Sequence, residues 1–235
     1  MTSQTAPALN AMLDALIPAD DPERVPEPEE VYLAFSQWAE TTGRPLYPHQ
    51  DEALSEILQD RHVIAATPTG SGKSMIALAA HTASLARGGR SYYTAPLKAL
   101  VSEKFFELVR LFGADNVGMV TGDTSINAAA PIICCTAEIL ANQSLREGQD
   151  MDVDCVIMDE FHYYADPQRG WAWQVPLLEL NKAQMVMLSD TLGDVSFFVR
   201  DLSARTGRAV EVIDDSERPV TLEIELVVEP HGEVL

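Results

Sequence analysis

HVIAATPTGSGKSMIALAAHTASLA, running from His62 to Ala86, decides how the rest of the chain is read. An apolar run with β-branched residues gives way to a glycine-bearing turn and then to a segment of helical pattern, the strand, loop and helix of a phosphate-binding motif. Gly70 and Gly72 let the backbone curl so that successive amides face a phosphate chain. Lys73 supplies a point charge to the β and γ phosphates, and Ser74 offers a hydroxyl to Mg²⁺. Thr67 stands where the strict pattern has its first glycine, but the closing Gly-Lys-Ser is intact. The expected nucleotide-binding segment is therefore Thr67, Pro68, Thr69, Gly70, Ser71, Gly72, Lys73 and Ser74.

Outward from that stretch, further short apolar runs (SYYTA, VGMVT, PIICCT, DCVIMD, QMVMLS) alternate with helical patterns. The clearest is PLKALVSEKFFELVRLFG, where Leu97, Leu100, Val101, Phe105, Leu108, Val109 and Phe112 recur at helical spacing. Alternating strand and helix predicts an α/β fold, a mostly parallel sheet with helices on both faces. Ligands in such sheets sit beyond the C-terminal ends of the strands. That rule points to TPTGSGKS, TAPLKAL, TGD, TAE, DEFH and SDT, each following a strand candidate. Upstream, EEVYLAFSQWAETTG and HQDEALSEILQD read as amphipathic helices, a short helix is expected near residues 8–17, and the proline- and acid-rich residues 18–30 read as an extended connector.

Composition sets the outer limits. A chain of 235 residues with 46% hydrophobic content can bury a substantial core. Thirty-six acidic against 16 basic residues give a formal net charge of −20, which repels polyanions on average, so contact with nucleic acid must be local or use backbone amides. The same acidity also serves solubility. The sequence has no apolar run long enough for a membrane span and no secretory leader pattern, so a cytoplasmic location is expected. Cys134, Cys135 and Cys155 lie inside apolar runs without metal-ligand spacing and read as buried reduced thiols.

VDCVIMDEFHYY ends an apolar strand in Asp159-Glu160-Phe161-His162. A nucleoside triphosphatase needs one carboxylate near its Mg²⁺ and another group to position or deprotonate the attacking water, and adjacent acids at a strand end can divide those tasks.

Together, TPTGSGKS, YTAPLKALVSEKF, MVTGDTSIN, CTAEIL, DEFHYYADPQRGWAW and RPVTLEIEL resemble the superfamily-2 DExH-box helicases, in the superkiller and exosome-associated RNA helicase branch. The resemblance spans roughly residues 45 to 228. It implies the first RecA-like motor domain, with ATP and Mg²⁺ as cofactors and a single-stranded or partly duplex nucleic acid, RNA ahead of DNA, as partner. By the family pattern Gln50 would read the adenine edge, Lys73 and Ser74 would hold phosphate and metal, and Asp159 would hold Mg²⁺ through water. Glu160 would act on the attacking water, and His162 would couple hydrolysis to the nucleic-acid side. Pro96, Leu97, Lys98, Thr121, Gly122, Thr136 and Glu138 match the strand-tracking motifs.

Ser189, Asp190 and Thr191 occupy the place of the family's Ser-Ala-Thr coupling motif, whose hydroxyls bond to the Asp-Glu-x-His segment. Strand period sends Ser189 and Thr191 to one side and residue 190 to the other. Asp190 in place of alanine either faces solvent or a partner domain, or approaches Asp159 and Glu160 and weakens metal binding. The expected organisation is an N-terminal helix and connector at 1–30, the motor domain at 31–216, and at 217–235 the start of a connection to a second RecA-like domain. Two other readings stand beside it: a nucleotide-binding regulatory or scaffolding domain, impaired by Asp190, and a small-molecule kinase built on a phosphate loop.

Overall fold

A computed structural model of the chain describes residues 8–67, 72–191 and 193–214. Three helices come first, α1 (Leu9–Leu16), α2 (Pro28–Thr41) and α3 (Pro48–Leu58). The region read as a connector up to residue 30 already contains the start of α2. Pro28 takes the first helical position, where no amide proton is needed, and Glu27 and Glu30 form a reciprocal capping box, with the Glu27 amide donating to Glu30 Oε2 at 2.9 Å. Nor is α1 a separate appendage. Leu9 and Leu13 are buried in the main core, and Asn116 Nδ2 donates to Asn10 Oδ1 at 3.1 Å. The boundary expected after residue 30 thus falls inside one packed body, while the connection expected at 217–235 lies outside the described residues.

From β1 (His62–Ala66) the chain alternates through α4 (Lys73–Ala86), β2 (Ser91–Ala95), α5 (Lys98–Phe112), β3 (Val117–Val120), β4 (Ser125–Ile126), β5 (Ile132–Thr136) and α6 (Ala137–Glu147). It continues through β6 (Cys155–Met158), α7 (Trp171–Glu179), β7 (Gln184–Ser189), α8 (Ser196–Thr206) and β8 (Val210–Asp214). The eight strands form one sheet in the order β4-β3-β5-β2-β6-β7-β1-β8, parallel except for the β3–β4 pair. This is the α/β class expected from the alternation.

Strand residues alternate between two apolar layers because successive side chains point to opposite faces. Val63, Tyr93, Cys134, Ile157 and Val186 pack with α1 to α5 on one face, while Ile64, Tyr92, Cys135, Val156 and Met187 pack with α6 to α8 on the other. Burial raises all three thiols, Cys135 to about 12, which agrees with structural, unreactive cysteines.

The strand order decides where function can sit. β1 lies between β7 and β8, and β2 lies between β5 and β6, so the chain crosses over β7 and β6 on its way from β1 to β2. The C-terminal ends of β1, β7 and β6 are therefore neighbours, with Ala66 opposite Ser189 and Met187 opposite Met158. The DEFH and SDT segments thus border the start of α4.

Two buried histidines give the fold a pH dependence. His62 Nδ1 accepts the Met185 amide at 2.9 Å, so Nε2 carries the proton and donates to Thr206 Oγ1 at 2.8 Å, tying α8 to β1. His81 Nδ1 meets Ser91 Oγ at 2.8 Å. Burial foremost lowers both, His62 to about 4 and His81 to about 3. Below about pH 6.5 the unfolded chain takes up protons that these sites refuse, so stability present above pH 6.5 drains away towards pH 4. Urea denaturation should show a loss of about 2 kcal/mol per histidine between about pH 7.5 and about pH 5, with a shallower pH slope in His62→Asn. An unchanged slope in that variant would contradict the assignment.

Candidate functional site

At the C-terminal edge a cavity of about 290 Å³ is lined by Gly72, Lys73, Ser74, Lys104, Asp159, Glu160 and Asp190, among others. Pro68, Thr69, Gly70 and Ser71, expected to cradle phosphate, lie outside the described residues. Gly72 closes the loop in the left-handed region, with φ +82°. The left-handed conformation favours glycine, and a Cβ there would also push against Gln50 Nε2. Gln50 is 4% exposed: its Oε1 accepts the Tyr47 amide at 3.0 Å and its Nε2 donates to the Gly72 carbonyl at 3.1 Å. The side chain expected at an adenine edge thus joins the start of α3 to the end of the loop.

Lys73 opens α4. Its ammonium donates to the Thr67 carbonyl at 2.9 Å and forms an ion pair with Asp190 Oδ1. Burial foremost lowers its pKa, with Glu160 and Asp159 opposing that shift. Ser74 Oγ accepts from Lys104 Nζ at 3.0 Å. Lys104 is 8% exposed, pairs with Glu107 at 2.7 Å and sits 5.5 Å from the centre of the Tyr93 ring. Tyr93 Oη donates to Asp159 Oδ2, and the Glu160 amide donates to Asp159 Oδ1 at 3.0 Å.

Glu160 holds a left-handed backbone, φ 54°, uncommon for a residue with a side chain and at home in functional turns. Its Oε2 lies 3.3 Å from His162 Nδ1, which is also 3.3 Å from Ser189 Oγ. Ser189 Oγ donates its one proton to the Thr191 carbonyl at 3.0 Å, so the His162 nitrogen is the donor towards both oxygens.

Asp190 shares the cavity with Asp159 and Glu160, and its carboxylate has an ion partner there that the sequence did not suggest. The carboxylate lines the cavity, is 33% exposed, and pairs with Lys73. Of the two coupling hydroxyls only Ser189 reaches the Asp-Glu-x-His segment among the described residues; the exposed Thr191 contributes its carbonyl to Ser189.

The strand-tracking candidates occupy the other half of the same edge, beyond β2, β3 and β5. Leu97 is exposed at the start of α5, Thr136 precedes α6, and the Gly122 position is open. Four candidates are already engaged: Lys98, Thr121, Glu138 and, through its carbonyl, Pro96. Lys98 Nζ pairs with Asp123 at 2.6 Å, and Thr121 Oγ1 donates to the same carboxylate at 3.0 Å. Glu138 Oε1 accepts from Arg169 Nε at 2.8 Å and Nη2 at 2.6 Å, and the same Nη2 reaches the Pro96 carbonyl at 2.6 Å. Glu138 is therefore half of a staple rather than a waiting contact.

Arg169, Lys104 and Tyr93 escaped the sequence reading. A lysine at a core position of the α5 stripe, between Val101 and Leu108, was the one local signal for Lys104. Arg169 is presented by a tight loop: Asp166 Oδ1 accepts both the Gln168 and Arg169 amides at 2.8 Å, and a Cβ on Gly170 would stand 2.2 Å from the Tyr164 carbonyl.

Among the described residues no cluster of three His, Cys, Asp or Glu side chains could enclose a metal. The Ser74 hydroxyl and Asp159 carboxylate nevertheless share the cavity. That oxygen pair suits Mg²⁺, which takes one or two protein ligands and fills its octahedron with water and phosphate.

Comparison with known proteins supplies an independent line. Residues 47–197 match the DEAD/DEAH box helicase family. A chloroplastic DExH-box ATP-dependent RNA helicase of Arabidopsis thaliana is 36% identical over 181 residues, covering 72% of this chain and 15% of that protein. The probable helicase HelY of Mycobacterium tuberculosis is 34% identical over 175 residues, covering 74% and 19%. The antiviral helicase SKI2 of Saccharomyces cerevisiae is 33% identical over 180 residues, covering 75% and 14%. This chain thus spans only 14–19% of the length of such relatives. Among solved structures, the Hef helicase domain of Pyrococcus furiosus shares the fold, with a TM-score of 0.55 at 20% identity over 72% of this chain and 38% of that one.

The Arg169 staple carries a stability consequence. Arg169→Ala leaves Glu138 without its ion partner and is expected to destabilise the fold by about 1–2 kcal/mol, the lower part of the range for charged hydrogen bonds because both side chains are partly exposed. Arg169→Lys should recover less than half, since an ammonium cannot repeat the forked geometry. Equal denaturant midpoints for all three forms would sink the staple.

Proposed function

This chain belongs to the DEAD/DEAH box helicase family, and from that premise we propose that it is the ATP-binding half of an ATP-dependent nucleic-acid helicase, acting on RNA. The observation that carries the reading is the meeting, in one cavity, of Lys73 and Ser74 with Asp159 and Glu160, contributed by chain segments on either side of β7. RNA is favoured because the relatives named above include an RNA helicase.

In this reading Lys73 meets the β and γ phosphates, and Ser74 and Asp159 hold Mg²⁺. The metal, when bound, neutralises charge developing on the transferred phosphoryl group. Tyr93 and the Glu160 amide each donate to Asp159 and so fix the direction its carboxylate faces. Glu160 takes the proton of the attacking water as a new P–O bond forms at the terminal phosphorus and the bridging P–O bond to ADP breaks. His162, donating towards Glu160 and Ser189, links that step to the segment after β7.

Across the sheet, Leu97, Thr121, Gly122 and Thr136 meet the sugar-phosphate chain through hydroxyls and amides, which accommodates an acidic protein. A second RecA-like domain completes the motor, as the much greater length of the relatives supports. A regulatory, nucleotide-binding role is the second reading, favoured by one observation: Lys73 is already paired with Asp190.

Titration of the chain with a fluorescent Mg-ATP analogue should saturate, and Lys73→Ala should weaken binding at least about tenfold. With a second RecA-like domain joined, single-stranded RNA should raise ATP turnover, and Glu160→Gln should cut it by on the order of 10²–10⁴ while binding persists. Binding without any RNA response would favour regulation. Turnover on a small phosphate acceptor without nucleic acid would favour a kinase.

A further inference from the structure

Resting on the nucleotide reading just given, we propose that Asp190 sets nucleotide affinity by competing, as a tethered carboxylate, with the terminal phosphate of ATP for Lys73. Four observations converge. The Lys73 ammonium is largely buried, and an ammonium so placed requires an anion close by. Among the described residues the carboxylate in ion-pair contact with it is that of Asp190. The other two acids of the cavity reach Lys73 through their charge but have other hydrogen-bond partners: Asp159 accepts from Tyr93 and from the Glu160 amide, and Glu160 faces His162. Ser74, expected to bind metal, is bonded instead by a separate cation, Lys104, so Lys73 is not shared with it. The lysine that would meet phosphate thus already has an internal anion, and the hydroxyl that would meet Mg²⁺ already has an internal cation.

An incoming triphosphate must exchange with this arrangement rather than fill a vacant cradle. Carboxylate and γ-phosphate oxygens at one ammonium are like charges in a partly desolvated cavity, so Asp190 must let go or repel the ligand. ADP ends one phosphate earlier and asks less of Lys73, so the penalty falls more heavily on ATP. An alanine in this place, as in the motif the segment resembles, would impose no such cost. Asp190 also directly follows Ser189, whose hydroxyl accepts from His162, so the competing carboxylate stands one residue from the hydrolytic side of the cavity.

The test is calorimetric titration of the 235-residue chain with Mg-ATPγS and, separately, Mg-ADP, for the native sequence, Asp190→Asn, Asp190→Ala and Asp190→Glu. Both uncharged variants should bind Mg-ATPγS on the order of tenfold more tightly, with a change for Mg-ADP of less than about threefold, and Asp190→Glu should stay near the native values. Melting of the ligand-free chain supplies a second readout. Removing the partner of Lys73 should lower the melting temperature of both uncharged variants while enlarging their upward shift with Mg-ATPγS, opposite signs that a merely structural residue would not produce. Unaltered affinities in Asp190→Asn and Asp190→Ala, alongside a loss of binding in Lys73→Ala, would overturn the competition and leave the nucleotide reading standing. Absence of Mg-nucleotide binding in every form would overturn both.

Discussion

Two parallel ladders, β6–β7 and β7–β1, set the positions of the side chains at the C-terminal edge that form the cavity. β6, β7 and β1 are remote in sequence, yet their register sets Met158 against Met187 and Ala66 against Ser189. A backbone bond continues that register beyond the strands, from the Thr67 amide to the Ser189 carbonyl at 3.1 Å. The bond from the Asp159 amide to the Thr94 carbonyl at 2.9 Å does the same for the ladder between β6 and β2. Because side chains alternate faces along a strand, a slip of one residue in β6 or β7 would turn the whole strand over and exchange its buried sets. The two apolar layers forbid that slip, so packing far from the cavity specifies where its carboxylates stand.

Much of this was legible in the residues because buried parallel strands announce themselves as short apolar runs and the phosphate loop has a local signature. The runs at 62–66, 91–95, 132–136, 155–158 and 184–189 are strands, and the stripe in α5 is a helix. What escaped notice depends on contacts that no local pattern encodes. Arg169 acts through Glu138 and Pro96, partners distant along the chain. Lys104 fell on the apolar side of α5, where a charge looks like an interruption until Ser74 and Glu107 are seen on either side of it. Proline misled at α2, where Pro28 starts a helix rather than prolonging a coil. β8 was unanticipated because only Ile213 in it is buried, and α7 because Pro176 lies within it. For Asp190 strand parity was a sound guide only as far as Ser189, where β7 ends and the chain turns the next side chain inward.

Electrostatic frugality runs through the edge. With a formal net charge of −20 the chain has few cations to spend, and those near the strand ends are held by acids: Lys73 by Asp190, Lys98 by Asp123, Lys104 by Glu107 and Arg169 by Glu138. The half beyond β2, β3 and β5 therefore offers hydroxyls, amides and an open glycine more than unbalanced positive charge. Under the proposed function such a surface would orient a nucleic-acid backbone while displacing few counterions, without reading base identity.

The borders of the sheet have their own logic. Among the described residues one margin is β4, only two residues long, and the other is β8, where Glu211 and Asp214 interrupt the apolar side chains. A long, flat, greasy margin would invite a neighbouring molecule to add its own strand and seed a growing ribbon. Brevity on one flank and negative charge on the other work against such accretion, so a broad sheet can stay discrete in crowded surroundings.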